Sequence, residues 1–149
     1  MSNIFRTIAP SVFGVPLGTD APDSVKIIVG SLTIPDLLPG DEVSISGFVQ
    51  VSNNLPKGSI PNNPVMGTAI RVMRGTKDVS RARSVNITRD FHHMPIAFSG
   101  EDEITAAGSA TWDVIVNCWG PDSLALHPTI QYFGTIDYLD IHAQVTRAS

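Results

Sequence analysis

A chain of 149 residues is enough for one domain, burying about two thirds of the surface an unfolded chain exposes. Only 16% of the residues are charged, and 12 Gly and 11 Pro describe a turn-rich body whose polar surface is mostly Ser, Thr and Asn. The net charge of −4 and the dispersed Lys and Arg exclude the concentrated positive surface that phosphate binding needs, so no nucleic-acid partner is expected.

Residues 1–23 place Ile4, Phe5, Ile8, Val12, Phe13, Val15 and Leu17 among Pro10, Pro16, Pro22, Gly14 and Gly18. Prolines and glycines so spaced suit neither a helix nor a regular strand, and the spacing predicts an extended N-terminal arm. Apolar side chains on such an arm must be covered, either by the parent fold or by a neighbouring subunit. The arm holds no basic segment followed by an apolar run of about 7 to 15 residues, and no stretch of the chain reaches the roughly 18 apolar residues of a spanning helix. The expectation is a soluble chain made in the cytosol, with no membrane partner.

From residue 24 to residue 149 the pattern is that of a single β domain. Residues 25–29 and 32–38 read as strands, and Leu38-Pro39-Gly40-Asp41 is a strong chain-reversal signal. Residues 41–52 (DEVSISGFVQVS) put Val43, Ile45, Val49 and Val51 on one face, with Ser44, Ser46, Phe48 and Gln50 on the other. Gly47 in mid-strand predicts a bulge or the close approach of another backbone. The long connection 53–64 (NNLPKGSIPNNP) reads as a surface loop or a partner-contacting one.

Further strands are predicted over residues 65–74, 82–89, 91–99, 111–119 and 129–133. Polar turns join them, among them 100–103, where Glu101, Asp102 and Glu103 read as a solvated charge run. Cys118 shares a face with Trp112, Val114 and Val116, which predicts a buried, inert thiol, and a lone cysteine leaves no internal disulfide framework. In residues 135–146, Leu139, Ile141, Ala143 and Val145 point inward while Tyr138, Asp140, His142, Gln144 and Thr146 point outward. Short strands at regular spacing, with no helix-period stretch competing, predict an all-β antiparallel sandwich of about eight strands.

Chemistry is hard to place on this frame. His92 and His93 are adjacent and leave a strand on opposite faces, with no spaced carboxylate to complete a metal site. There is no GxSxG elbow, no Gly-rich phosphate loop, and no thiol-protease signature around Cys118. Paired-carboxylate work by Glu101 and Glu103 would need a cleft that nothing announces. Asn86-Ile87-Thr88 matches the glycosylation pattern but reads as a strand fragment. Trp112 and Trp119 differ in parity, so at most one of them lies in any single patch. The residues therefore predict no enzyme, no metal and no cofactor. Two rival readings remain: a glycan- or receptor-binding module using Trp119 and the loops 53–64 and 120–128, and a small cupin-type metal enzyme using His92 and His93.

The run RARSVNITRDFHHMPIAFS at 81–99, the charged turn after it, GSATWDVIVN at 108–117, SLAL at 123–126 and the terminal TIDYLDIHAQV together resemble a known layout. It is similar to the jelly roll of small bacteriophage virion proteins, the capsid decoration or cement proteins, and distantly to the tumour-necrosis-factor and C1q-like sandwiches. The likeness covers roughly residues 25–146 and is one of pattern, with no invariant motif. It implies a jelly-roll protein of the virion surface that binds an assembled shell of major capsid protein and forms a homotrimer or a dimer. An apolar arm suits that role because it can add main-chain hydrogen bonds and bury side chains on a neighbour. The expected contact residues are Ile4, Phe5, Ile8, Val12 and Phe13 toward the shell, with Phe48 and Tyr138 at a subunit interface.

Overall fold

The computed structural model describes residues 2–9, 13–18, 26–53, 66–87, 94–119 and 133–148. These form nine strands: β1 (Ser2–Ala9), β2 (Phe13–Gly18), β3 (Lys26–Leu37), β4 (Glu42–Asn53), β5 (Met66–Arg74), β6 (Lys77–Ile87), β7 (Met94–Glu103), β8 (Gly108–Trp119) and β9 (Phe133–Thr146). One sheet runs β1–β9–β4–β7, and β2 follows β1 along the same edge of β9. The other runs β3–β8–β5–β6. Counting β1 and β2 as one interrupted strand gives two four-stranded antiparallel sheets, joined where the end of β2 runs parallel to β8 with Leu17 beside Cys118 and Gly18 beside Trp119, and the chain crosses from one sheet to the other at almost every connection. That wrapping is the jelly roll expected for this all-β sandwich. Where the leader is described it forms regular strands, β1 and β2, which its prolines and glycines did not lead one to expect, and both are hydrogen-bonded to the chain's own β9.

The inward residues of both sheets meet as predicted by their alternation. Val43, Ile45, Val49 and Val51 of β4 pack with Leu139, Ile141, Ala143 and Val145 of β9 and with Trp112, Val114, Val116 and Cys118 of β8. Each fully buried side chain of this size contributes about 1.5–3 kcal/mol by leaving water. The Leu38–Asp41 reversal closes with Asp41 N–H donating to the Leu38 carbonyl at 3.0 Å, and Gly40 supplies the φ of 88° that the second turn position demands. The buried Asp41 carboxylate accepts from the Leu38 N–H at 2.8 Å and from Arg147, which ties the end of the chain to this turn.

Two further expectations change. The segments predicted as two strands, 25–29 and 32–38, give a single strand, β3 (Lys26–Leu37), with register shifts between Ile28 and Gly30 and between Ile34 and Leu37. The charged run at 100–103 is not a solvated turn: β7 continues through Glu103, and alternation there sends Asp102 inward, where its side chain is fully buried. Asp102 receives Arg74 Nη2 at 2.9 Å, Lys77 Nζ at 2.6 Å and Trp112 Nε1 at 2.9 Å. Arg74 and Lys77 come from the ends of the β5–β6 hairpin and Trp112 from β8, so one carboxylate of the first sheet is held by three residues of the second. Burial pushes the Asp102 carboxyl up, but the hydrogen bonds from Arg74, Lys77 and Trp112 outweigh it and hold the group at about 2.

The two sheets meet along the β6–β7 side, where Ser80 Oγ donates to the Ser99 carbonyl at 2.5 Å. Gly47 marks another close approach: a Cβ there would lie 2.0 Å from the Asp140 carbonyl oxygen and 2.8 Å from the Phe98 ring. The ladders of β4 run without a break through Gly47, so of the two readings of this glycine the close approach holds.

Gly47→Ala must push β4 from β9 and is expected to lower the thermal midpoint by roughly 3–8 °C, the scale of about 1–2 kcal/mol in a chain of this size, read by calorimetry. Asp102→Asn removes the charge that Arg74 and Lys77 surround and is expected to cost about 2–3 kcal/mol in denaturant unfolding. The same carboxyl gives a pH signature. Its folded value lies below the ordinary 3.8, so the unfolded chain takes up the proton first as pH falls. The contribution is whole above that ordinary value and disappears as pH drops toward about 2. Unfolding free energy of the wild type should therefore fall across that window by about 2 kcal/mol more than that of Asp102→Asn.

Candidate functional site

The outer face of the β1–β9–β4–β7 sheet is where the sequence-predicted contact residues gather. Strand alternation puts Ile4, Arg6 and Ile8 of β1 outward, opposite Gln144, His142 and Asp140 of β9. On the far side of β9, Gln50, Phe48, Ser46 and Ser44 of β4 stand opposite Tyr138, Asp140, His142 and Gln144. Four of the seven expected residues, Ile4, Ile8, Phe48 and Tyr138, thus share one surface. Phe5 takes the opposite parity, pairs with Ala143 and packs on the core. Phe13 sits on β2, paired with Ile136. Val12 lies outside the described residues, as do His92, His93, His127 and, apart from Asn53, the connection predicted at 53–64.

Ile4 is 76% exposed and Ile8 43%, more than an apolar side chain on a packed sheet usually is. Between them Arg6 grips Asp140 in a two-pronged contact, Nε to Oδ1 at 3.1 Å and Nη2 to Oδ2 at 2.6 Å. The hydrogen bond from Arg6 holds the Asp140 carboxyl below its usual range against the effect of burial. The surface beside the two isoleucines is therefore close to neutral. Among the described residues, β9 is the only strand that pairs with β1.

Phe48 and Tyr138 stack on each other, ring centroids 5.6 Å apart and planes inclined by 27°. Next to them Ser46 Oγ and His142 Nε2 share a hydrogen bond at 2.7 Å. A shallow open depression of about 500 Å³ lies here, lined by Ser46, Phe48, Arg81, Ala97, Ser99 and His142. Sequence reasoning placed Phe48 and His142 on this face but missed Ala97, Ser99 and Arg81. The first two carry no chemical signal, and Arg81 reaches the site from the other sheet.

Elsewhere the side chains fit structural work. Cys118 is buried against Thr68, and burial pushes its thiol up to about 11. Trp119 carries Arg83 4.8 Å from its ring centroid, and Gly67 lies so close to the ring that a Cβ would stand 2.0 Å from it. Among the described residues no three His, Cys, Asp or Glu side chains converge where they could hold a metal ion, and no helix is long and apolar enough to cross a membrane.

No family profile matches the sequence, and no curated protein does. Among solved structures the chain is similar to that of the infectious bursal disease virus Gx strain, with a TM-score of 0.60 and 10% identity over 98% of this chain and 32% of the matched one. It is also similar to the VP2 subviral particle of infectious bursal disease virus, with a TM-score of 0.52 and 11% identity over 99% of this chain and 38% of the other. The chain spans about a third of the length of the chains it matches. At these identities what is shared is the fold, a jelly-roll sandwich of the kind found in a viral particle.

Proposed function

We propose that this protein is a non-enzymatic structural component of a virion, decorating the outer surface of an icosahedral phage capsid and cementing neighbouring copies of the major capsid protein. The observation that carries the reading is the exposed pair Ile4 and Ile8, on a strand that pairs only with β9 among the described residues, in a sandwich whose fold recurs in virus particle structures. Covering each isoleucine would contribute about 1.5–3 kcal/mol, and the paired Arg6 and Asp140 leave no bare charge beside them to desolvate. The second edge of β1, which no described strand covers, would offer main-chain donors and acceptors to a partner strand, the strand-addition mode. Val12 and Phe13 extend the same leader. A homotrimer or dimer would multiply a weak contact through effective concentration.

Because β1 and β2 are strands of the sandwich, removing the leader would strip β9 of its edge partners and confuse binding with folding. Paired substitution Ile4→Asp with Ile8→Asp is the cleaner probe, since both side chains face water. The variant should keep the wild-type circular dichroism spectrum and lose co-sedimentation with assembled capsids. A folded variant that still co-sediments as the wild type does would refute the assignment of this surface.

A further inference from the structure

The outer face of a β-sheet is ordinarily flat, and the depression over β4, β7 and β9 has a local cause. Ser46, Ala97 and Ser99 are small residues on adjoining rungs, with Ser46 directly opposite Ser99 and Phe48 directly opposite Ala97. Larger side chains stand around them: Phe48 on one side, His142 on another, and Arg81 leaning in from β6. The hollow follows from the sequence of side-chain sizes across three strands, and its roughly 500 Å³ falls in the range of small-molecule sites.

Its chemistry selects among ligands. Asp78 accepts from both Arg71 and Arg81, so one carboxylate offsets the charge of Arg81 only in part, while that of Arg6, beyond β9, is met by Asp140. The nearest further charge on the same face of β7 is Glu101, two residues past Ser99, which disfavours an anion. With Glu101 close by to counter what positive charge Arg81 retains, the hollow chiefly offers hydrogen-bonding groups: the hydroxyls of Ser46 and Ser99, the imidazole of His142 and the remaining N–H groups of Arg81. Beside them is the Phe48 ring, backed by Tyr138 and so held in place before any ligand arrives. Alternating hydroxyl partners beside a fixed aromatic ring match a sugar, which has polar edges and an apolar C–H face.

We infer that this hollow binds one neutral sugar ring of a glycan, with Phe48 against its apolar face and Ser46, Ser99, His142 and Arg81 on its hydroxyls. The site goes beyond the structural role and does not depend on it: it lies on the β4–β7 half of the sheet, separated from Ile4 and Ile8 by β9. Phe48 thereby takes a role other than the subunit contact expected from the sequence. Because the hollow is shallow, a single ring should bind weakly, and several copies on one particle would supply the avidity.

Titration of the isotope-labelled protein with methyl glycosides of glucose, galactose, mannose and N-acetylglucosamine, followed by amide NMR, tests this, with glucuronic acid as the charged comparison. At least one neutral glycoside should shift the amides of Ser46, Ala97, Ser99 and His142 in a saturable way, and more tightly than glucuronic acid. Arg81→Ala should weaken that binding about tenfold, the factor that one lost hydrogen bond of about 1.4 kcal/mol produces. Ala97→Tyr, an exposed strand position that tolerates an aromatic residue, should fill the hollow and abolish binding while the thermal midpoint stays near that of the wild type. Absence of saturable shifts with every neutral glycoside, shifts confined to another surface, tighter binding of glucuronic acid, or full binding by a folded Ala97→Tyr variant would each overturn the inference. None of these outcomes bears on capsid co-sedimentation, so the two proposals stand or fall separately.

Discussion

The architecture hangs on β9. It pairs with β4 along nearly its whole length on one edge and with β1 and then β2 on the other. Its register fixes which residues of three other strands face water. A slip of one residue would carry Leu139, Ile141, Ala143 and Val145 to the solvent side and bring Tyr138, Asp140 and His142 into the core. Burial of the four apolar residues therefore secures the outer surface as much as the interior. The bidentate Arg6–Asp140 contact and the Ser46–His142 hydrogen bond both depend on that register, each joining β9 to a different neighbour.

Apolar packing binds the sheets face to face, and a few buried carboxylates decide how their ends meet. Asp102 draws the tip of the β5–β6 hairpin and the Trp112 indole onto β7, and Asp41 draws the last residues of the chain onto the β3–β4 turn. Each of these acids would be costly to bury alone, and each is accompanied by an arginine whose own side chain remains partly in water. The arrangement keeps the expensive half of the ion pair small and gives the sandwich well-defined ends.

The strands were legible in the sequence wherever alternation was strict: β4, β8 and β9 have the faces that Val43, Trp112 and Leu139 and their neighbours announced. Legibility failed where a local pattern competed with a distant partner. Three consecutive acids after Gly100 look like a wet turn, and nothing near them tells that Arg74, Lys77 and Trp112 wait for the middle one. The prolines and glycines of the leader speak for irregular chain, yet the residues between them pair rung by rung with a strand far along the sequence. Candidate surface residues were half readable. Parity along β4 and β9 placed Phe48 and Tyr138 outward, whereas the hollow beside them arises from small residues and an arginine assembled from different strands, which no single segment reveals.

Pairing of Ser2 with Thr146 carries a consequence for biogenesis. β1 is made well before its hydrogen-bonding partner β9, so the first sheet stays incomplete until the strands between them have been translated. Until then the isoleucines and open main chain of the nascent strand are exposed to whatever is nearby. Productive folding must be a late, concerted event, and a chaperone that shields the early strand would gain most by holding it until β9 has been released.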